Sequence, residues 1–345
     1  MVIPWVRHVA LKAVAGSGLA DLCRPFIRDS AIVFAFHRFA DHESGVAGFE
    51  PQTLRALLKH LRRKRYRVLD VRAILDALRN GGPPLAGAVA FTMDDGYREQ
   101  AAVAGPVFAE FDCPATIFVV TGFLDGFTWL WWDQVDHVFR QTTRQVVSVE
   151  TLDGPHSYSV GDVPSANAAR ADFADYCKRI PEAAKAEAVQ QLARAAEVDL
   201  PTHPPPAYAP MSWDELRAAE RRGMTFGPHT VTHPILSRTD DAQSRREIRE
   251  SWARVRAEAR DPQPIFAYPN GKPPDYGDRE IGTLREAGIE GAMTCTLAHA
   301  TRRRFARSSD GAYSIPRFAP PPTTAHLIQF VSGLERLKLL IRGAE

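Results

Sequence analysis

Short apolar runs alternate with amphipathic segments along most of the chain, and this alternation constrains the fold more than any other feature. The apolar runs have the length and composition of buried strands, and the segments between them have the period of amphipathic helices. Such an alternation forms βαβ units around a parallel sheet. The sequence therefore predicts an α/β fold of about seven parallel strands, for which a barrel and an open doubly wound sheet both fit. The predicted strands cover 31–39, 87–95, 115–123, 224–230, 264–270, 291–296 and 313–318.

Residues 125–208 interrupt this alternation. They contain a Trp-rich run, a polar β-like stretch and a helical stretch over 165–197, and they end in the sequence PTHPPPAYAP. Because a Pro-rich segment is a stiff connection, we expect an inserted subdomain between two αβ units. The predicted organisation is an N-terminal amphipathic segment at 1–30, a main domain at 31–124 and 209–322, the inserted subdomain at 125–208, and a C-terminal helix at 323–345.

The composition argues against nucleic acid as a partner and against a membrane-spanning segment. The chain has 43 Lys and Arg residues against 41 Asp and Glu, and the formal net charge of +2 gives no field that would attract nucleic acid. No run of about 18 apolar residues exists, so no transmembrane helix is predicted. Apolar residues at helical spacing over 325–342, with basic residues between them, fit a helix docked on the domain or one at a membrane surface. The docked helix is the favoured interpretation.

Cysteine usage and the N-terminal residues indicate a cytoplasmic protein, with peripheral contact at the inner membrane as the alternative. The 4 cysteines are scattered without metal-ligand spacing, which is typical of reduced thiols rather than of a disulfide framework. Arg7, His8 and Lys12 interrupt the apolar residues at the N-terminus. A secretory signal is therefore not predicted.

Two adjacent carboxylates, Asp94 and Asp95, follow an apolar run and precede Gly96. Neighbouring side chains on a strand point to opposite faces, so one carboxylate would face a site and the other a turn. A strand that breaks at Asp95 and Gly96 would instead let both carboxylates converge on one cation. The residues of this motif alone leave both arrangements open.

His229 and His233 lie four residues apart at the end of another predicted strand. Two imidazoles at this spacing, together with one carboxylate, make a metal site with three protein ligands and open positions. The carboxyl ends of parallel strands gather at one edge of an α/β sheet, where active sites of such folds lie. We therefore expect the two histidines to lie near the Asp94–Asp95 pair.

Three motifs resemble those of the polysaccharide deacetylase family, also known as the NodB-homology domain and carbohydrate esterase family 4. TMDDG at 92–96 is similar to the family's Thr-Phe-Asp-Asp-Gly motif, and HTVTH at 229–233 is similar to its His-Ser/Thr-x-x-His motif. FAYPNG at 266–271 is similar to its third motif, Arg-x-x-Pro-Tyr-Gly. The motifs occur in the family's order, and the resemblance covers roughly residues 30 to 320 apart from the insertion.

This resemblance implies a distorted (β/α) barrel of about seven strands and a metal-dependent hydrolase. It implies that Asp95, His229 and His233 bind a divalent metal, most commonly Zn²⁺, and that Asp94 is the general base. The implied reaction removes the N-acetyl group from an N-acetylated sugar. Because no export signal is predicted, we expect a lipid- or nucleotide-linked precursor of a surface glycan as the substrate in preference to a finished extracellular polymer. Two alternatives stay open: hydrolysis of another non-peptide C–N bond, as in a deformylase or cyclic amidase, and a non-catalytic glycan-binding relative.

The chain departs from the family's third motif at two positions. Phe266 stands where the family has the Arg that orients the base, and Asn270 stands where it has Tyr. Asn270 keeps the backbone N–H that the resemblance assigns to oxyanion binding. Because the motif Arg is missing, Asp94 needs another partner, and Arg317 is a candidate for contact with Asp94 or with substrate.

The family's late Leu-x-His motif, the source of its general acid, is not recognisable in this chain. His37, at the end of the first predicted strand, is the candidate acid, and a strand-end histidine with no catalytic role is the alternative. Trp131 and Trp132 fit either a sugar-stacking surface or the core of the inserted subdomain, and the core is favoured. The candidate substrate contacts are Tyr97, Tyr268, Pro269, Arg317, Trp131 and Trp132.

Overall fold

The computed structural model of the chain describes residues 19–79 and 85–341. Residues 1–18 of the expected N-terminal segment and residues 342–345 of the expected C-terminal helix lie outside the described residues. The part of the N-terminal segment that is described begins with a 3-10 helix, Leu19–Ile27, which leads into the first strand.

The strands lie at six of the seven places that the apolar runs predict, and this confirms the α/β class. Each of these six is buried along most or all of its length, as expected for strands covered on both faces by helices. Three additional short strands complete the set. The strands are β1 Ser30–Phe36, β2 Ala88–Asp95, β3 Ala115–Val119, β4 Val146–Thr151, β5 Gly154–Ser159, β6 Met224–Pro228, β7 Ile265–Ala267, β8 Gly291–Met293 and β9 Ala300–Thr301.

The central sheet has the order β6-β3-β2-β1-β9, in which β9 alone runs antiparallel to its neighbour. Strands β7 and β8 form a separate parallel pair. Single bridges join the two sheets, at Phe226 with Pro262 on one side and through Ile315 and Phe318 on the other. Within residues 19–79 and 85–341 the ladders therefore surround one core without closing into a continuous barrel.

The seventh predicted strand, 313–318, forms only isolated bridges. Ile315 pairs with Met293 of β8, and Phe318 pairs with Phe34 of β1. Pro316 lies between these two residues and has no backbone N–H, so it cannot extend a ladder. The segment nevertheless lies between β8 and β1, and its Arg317 contacts Asp94 at the carboxyl end of β2.

The helices begin where the sequence offers caps. The Ser212 side chain accepts a hydrogen bond from the backbone of Glu215, whose side chain binds the Ser212 backbone in return, and Asp240 caps the next helix. The helices are α1 Pro51–Arg63, α2 Val71–Arg79, α3 Gly105–Glu110, α4 Thr121–Leu124, α5 Trp131–Gln141, α6 Val163–Arg179, α7 Glu182–Ala195, α8 Trp213–Glu220, α9 Asp241–Glu258, α10 Asp278–Glu286, α11 Arg302–Phe305, α12 Thr324–Val331 and α13 Leu334–Ile341.

A second hydrophobic core lies among α5, α6, α7 and the antiparallel pair β4–β5. Val135, Val147, Phe173 and Leu192 are fully buried in it. The expected helical stretch over 165–197 is two helices, because Pro181 follows the end of α6 and cannot donate the backbone bond that would continue it. This second core forms one wall of the cavity described below.

The expected C-terminal helix is divided into α12 and α13 at Gly333. Gly333 has a φ of +91°, and a Cβ atom there would lie 2.5 Å from the carbonyl oxygen of Cys23. Only glycine fits this combination of backbone conformation and close approach. Leu327 and Val331 of α12 pack into the main core. Among the helices described, none is both long enough and apolar enough to cross a membrane.

Candidate active site

Asp94 and Asp95 end β2, and both line the same cavity. Strand alternation would send them to opposite faces. The chain leaves the extended conformation at Asp95, where φ is +82°, and Gly96 follows with φ of +92°. A positive φ is unfavourable for Asp and is found where a site requires it. The break lets the two carboxylates converge on one cavity.

Asp95, His229 and His233 form a cluster whose ligand atoms all lie within 4.8 Å of one another. Asp95 Oδ1 is 3.6 Å from Nε2 of His229 and 3.6 Å from Nε2 of His233. Two ligands at about 2.1 Å from a tetrahedral ion lie about 3.4 Å apart, so the spacing fits a shared metal ion. Asp95 Oδ1 is buried and has no hydrogen-bond partner in the described part of the chain. The three residues therefore fit a divalent metal.

Both histidines present neutral nitrogens to this cluster. The Nδ1–H of His229 donates to the carbonyl oxygen of Ala267 at 2.7 Å, which leaves Nε2 with its lone pair toward Asp95. Burial lowers the pKa of His229 to about 4. Burial, and next the neighbouring His229, hold the pKa of His233 well below its ordinary value. Neutral imidazole is the form that binds a metal.

The loop that carries His233 is held by Glu247 of α9, a residue that the sequence analysis did not identify. The Glu247 carboxylate accepts from the backbone N–H groups of Val231 and Thr232 at 2.7 and 2.9 Å and from Thr232 Oγ1 at 2.6 Å. A signal was present in the sequence, because Glu247 lies on the buried face of α9 beside Ile248. A carboxylate on such a face requires a partner.

Asp94 is held by Arg317, which donates Nη1 to Oδ1 and Nη2 to Oδ2, both at 2.7 Å. The side chains are 0 % and 2 % exposed. Burial alone would raise the pKa of Asp94, but the Arg317 guanidinium outweighs it and holds that pKa below its ordinary value. Asp94 is therefore ionised at neutral pH and able to accept a proton.

Of the two expected contacts of Arg317, the described structure contains the one with Asp94, and Arg317 is not among the residues that line the cavity. Phe266, at the position of the missing motif arginine, is fully buried in the main core. The guanidinium that faces the base thus comes from the segment 313–318 instead of from the third motif.

His37 also lies near Asp94, with Nε2 at 3.9 Å from Asp94 Oδ2. Its side chain is 53 % exposed and lines the cavity. Loss of hydration in the cleft, together with the Arg317 charge, lowers the pKa of His37 against the opposing effect of Asp94. The exposed half of the ring keeps contact with solvent, which limits this shift. Gln100 Nε2 donates to the His37 carbonyl oxygen at 2.6 Å and so fixes its backbone.

Asn270 lines the cavity with its backbone in the left-handed region, at φ of +59°. Asn adopts this conformation more readily than most residues. Its side-chain Nδ2 donates to Asp275 Oδ2 at 2.7 Å, whereas its backbone N–H has no acceptor among the described residues. Tyr268 lines the cavity and stacks on Tyr276 with ring centroids 4.0 Å apart. Pro269 is not among the residues that line the cavity.

Residues 81–292 match the family described as Polysaccharide deacetylase. The chain belongs to the polysaccharide deacetylase family. The resemblance of the three sequence motifs is thereby confirmed, and membership supports deacetylation of glycans as the general activity of this hydrolase. None of the curated proteins matches the deacetylase in sequence.

Solved structures show the same fold. The deacetylase PplD of Streptococcus pyogenes, in complex with acetate, matches with a TM-score of 0.57 and 16% identity over 88% of this chain and 99% of that chain. A de-N-acetylase from Aggregatibacter actinomycetemcomitans matches with a TM-score of 0.52 and 14% identity, over 88% of this chain and 100% of that chain. IcaB from Ammonifex degensii matches with a TM-score of 0.51 and 14% identity, over 88% of this chain and 97% of that chain. At these identities the likeness concerns the fold alone.

Aromatic and charged side chains beside Asp95, His229 and His233 form one wall of the cavity. Trp132 Nε1 donates to Tyr97 Oη at 2.9 Å, and Tyr97 Oη donates to Asp133 Oδ2 at 2.7 Å. The Trp132 ring lies 4.5 Å from the His233 ring, and the Arg38 guanidinium lies 4.0 Å from the centre of the Tyr97 ring. Burial raises the pKa of Asp133 to about 7. Asp133 and Arg38 belong to no sequence motif and were therefore not predicted.

The two tryptophans, predicted as core or as substrate surface, pack against hydrophobic clusters and also line the cavity. Trp131 packs against the second core and has the Lys185 ammonium 5.1 Å from its ring centre, and Trp132 packs against a small cluster with Phe123. Both also line the cavity, whose volume is about 840 Å³. The cavity thus extends from Asp94 and Asp95 at the end of β2 to the helices that carry the second core.

Proposed function

We propose that the protein is a metal-dependent hydrolase that removes an N-acetyl group from an N-acetylated sugar, in a surface glycan or its lipid- or nucleotide-linked precursor. The observation that carries the proposal is the arrangement of two adjacent carboxylates in two different environments. Asp95 Oδ1 lacks a hydrogen-bond partner in the described part of the chain and faces two neutral histidine nitrogens. Asp94 is ionised and paired with Arg317. One carboxylate is suited to a cation, and the other to a proton.

Asp95, His229 and His233 would hold the divalent metal, for which we propose Zn²⁺. Two nitrogens and one carboxylate oxygen are a common ligand set for catalytic zinc. When bound, the metal supplies Lewis acidity toward water and toward the acetamide carbonyl. His229 is oriented for this task by Ala267, and the loop that carries His233 is oriented by Glu247.

The remaining steps fall to residues around the cluster. Asp94 takes a proton from the attacking water, and the pair with Arg317 keeps it ionised until it does so. The backbone N–H of Asn270 donates to the oxygen that gains negative charge as the carbonyl carbon becomes tetrahedral. The C–N bond then breaks, acetate leaves, and His37 gives a proton to the departing amine.

The aromatic side chains of the cavity support a sugar as the substrate. Trp132 and Tyr268 line the same cavity as Asp94, His229 and His233. Aromatic rings pack well against the C–H faces of sugar rings, and Trp and Tyr add a polar group for hydrogen bonding. The cavity volume of about 840 Å³ is near the upper end of the range for small-molecule sites, about 300–1,000 Å³.

Metal analysis and acetate release from a panel of N-acetylated sugars test the proposal. We expect about one bound metal per chain and acetate as product. His229→Ala and His233→Ala should lose the metal and nearly all activity, because two ligands hold an ion far less tightly than three. Asp94→Asn should keep the metal and lose activity by about 10²–10⁴-fold.

Release of formate instead of acetate would favour the deformylase alternative. Turnover that persists in either histidine variant with full metal content would contradict the assigned ligands. Loss of metal in Asp94→Asn, with metal retained in Asp95→Asn, would exchange the roles of the two carboxylates.

A further inference from the structure

The part of the cavity wall that is formed by the C-terminal halves of α5 and α6 is basic. Each helix turns one face toward the cavity, as the spacing of its lining residues shows. Arg140 lies in the last turn of α5, and Lys178 lies in the last turn of α6. The lining residues of these two helices are Trp131, Trp132, Asp133, Asp136, His137, Arg140, Gln141, Arg170, Ala171, Ala174 and Lys178.

Arg140 and Arg170 are arranged around a single carboxylate. Arg140 Nε donates to Asp136 Oδ2 at 2.6 Å, and Arg170 Nη1 donates to Asp136 Oδ1 at 2.5 Å. Tyr208 Oη also donates to Asp136 Oδ2, at 2.6 Å. The two η-nitrogens of Arg140 have no acceptor among the described residues. The carboxylate therefore fixes the two guanidinium groups without using all of their donors.

The charges on this wall do not cancel. Arg140, Arg170 and Lys178 face the cavity against the one carboxylate of Asp136. Lys178 pairs with Asp175 at 3.0 Å, but Asp175 is largely exposed and does not line the cavity. At the other end of the cavity, Asp94 is paired with Arg317 and Asp95 lies between two histidines. An anionic group would therefore be attracted to the unneutralised charge at the arginine end.

The two ends are separated by about two turns of α5. Asp133 is hydrogen-bonded to Tyr97 near the candidate metal ligands, and it precedes Arg140 by seven residues. Seven residues of helix correspond to about 10 Å along the axis. With the reach of an arginine side chain, a diphosphate can span this distance when the N-acetyl group of the sugar that carries it lies at Asp95, His229 and His233.

We propose that Arg140 and Arg170, with Lys178, form a subsite for a phosphate or diphosphate group that is joined to the N-acetylated sugar. The proposal rests on the proposed function and narrows it to a phosphorylated precursor, as opposed to an uncharged glycan chain. Guanidinium groups suit phosphate because their planar donors form paired hydrogen bonds with its oxygens. A lipid-linked and a nucleotide-linked sugar share this group.

Binding is measured by calorimetry in the metal-loaded Asp94→Asn protein, so that no probe is consumed. The probes are uridine diphosphate N-acetylglucosamine, farnesyl diphosphate N-acetylglucosamine and the uncharged tetramer of N-acetylglucosamine. Adding Arg140→Gln and Arg170→Gln should weaken binding of the diphosphate probes about tenfold or more and leave the tetramer unchanged. Which of the two diphosphates binds more tightly distinguishes the nucleotide from the lipid source.

Two controls separate the subsite from a general loss of charge or fold. Arg144→Gln removes a half-exposed arginine just beyond α5 that does not line the cavity, and it should leave all three affinities unchanged. Arg140→Lys with Arg170→Lys keeps the charge and should restore part of the diphosphate affinity. If Arg140→Gln with Arg170→Gln weakened binding of the tetramer and of the diphosphates equally, or weakened neither, the proposed subsite would be contradicted.

The subsite and the proposed function can fail separately. Arginine-dependent binding of diphosphates, without acetate release from any probe by the metal-loaded wild-type enzyme, would retain the subsite and overturn the deacetylase proposal. Acetate release from the tetramer, with diphosphate affinity that is unchanged in the arginine variants, would support the deacetylase proposal and contradict the subsite.

Discussion

Asp94 and Asp95 are neighbours in sequence, yet their surroundings shift their acid strengths in opposite directions. Burial, and next the Asp94 charge, raise the pKa of Asp95 well above its ordinary value. The Arg317 guanidinium outweighs burial at Asp94 and lowers its pKa. Environments that separate two carboxylates in this way are typical of paired catalytic groups with different roles.

Arg317→Gln should move the acidic limb of the kcat/KM profile to higher pH. Without the guanidinium, burial dominates at Asp94 and its pKa rises, so the base becomes protonated at a higher pH as acidity increases. We expect a displacement of about one to three pH units, measured between pH 4 and 9 with metal content checked at each end. In Arg317→Lys, which keeps the charge, the acidic limb should be displaced less. An acidic limb that is unchanged in Arg317→Gln would contradict the role of the pair.

His37→Ala should lower kcat by about 10²–10⁴-fold with metal content unchanged. A general acid must be protonated when the C–N bond breaks, so wild-type kcat should fall as pH rises through the lowered pKa of His37. The variant should lack this alkaline limb, and a substrate whose leaving group needs no proton should recover much of the rate. An alkaline limb that persists in the folded, metal-loaded variant would exclude His37 as the acid.

At the scale of elements, the last residue of β2 supplies Asp95, and the loop after β6 supplies His229 and His233. Helix α9 supports this loop through Glu247. Glu247→Gln replaces one acceptor oxygen by a donor, so it removes part of the bonding to Val231 and Thr232. We expect the affinity for zinc to fall by about 10–100-fold, with kcat at saturating zinc largely retained. Competition with a chromogenic chelator measures the affinity.

Glu250→Gln is the matched control, because Glu250 lies on the exposed side of the same helix. It should leave zinc affinity unchanged. A similar loss in both variants would indicate a general effect on α9 instead of a specific effect on the loop.

The elements that the sequence predicted well are those whose pattern depends on burial alone. Six buried strands and long amphipathic helices such as α9 follow from the period of their apolar residues. The seventh strand is reduced to bridges by Pro316, and the C-terminal helix is divided at Gly333. Both interruptions are visible as residue types, but their effect depends on partners that only tertiary packing supplies, such as the Cys23 carbonyl beside Gly333.

The candidate site was predictable where its residues follow strand ends and was hidden where they come from elsewhere. Asp94, Asp95, His229 and His233 belong to motifs with a chemical pattern. Asp133 lies on a helix of the second core, and it reaches the cavity because α5 packs beside the main sheet. No local pattern encodes that packing, so the basic wall of the cavity could not be predicted.

At the scale of the whole molecule, the metal should contribute to folding stability. Zinc that binds the folded chain alone should add about 2.7 kcal/mol to the free energy of unfolding when free zinc is 100 times its Kd. The raised pKa of Asp95 means that, without metal, its stability contribution is present below the ordinary carboxyl range and is lost as pH rises toward the raised pKa. Zinc competes with that proton, so its stabilising effect should be larger at pH 7 than at pH 5.

Urea unfolding of the chelator-treated protein, with and without zinc, measures this effect. His233→Ala should show a much smaller gain, since it lacks one ligand. An equal gain in wild type and His233→Ala would mean that zinc stabilises the fold from another site.

The pair of Asp94 and Arg317 joins residues that are 223 positions apart, and this separation has a consequence for biosynthesis. The ribosome releases β2 long before it releases the segment 313–318, so the pair can form only after most of the chain has been synthesised. A buried carboxyl without a partner holds its proton and cannot act as a base. Under the proposed function, the chain therefore gains an ionised Asp94 only once the segment 313–318 has docked between β8 and β1.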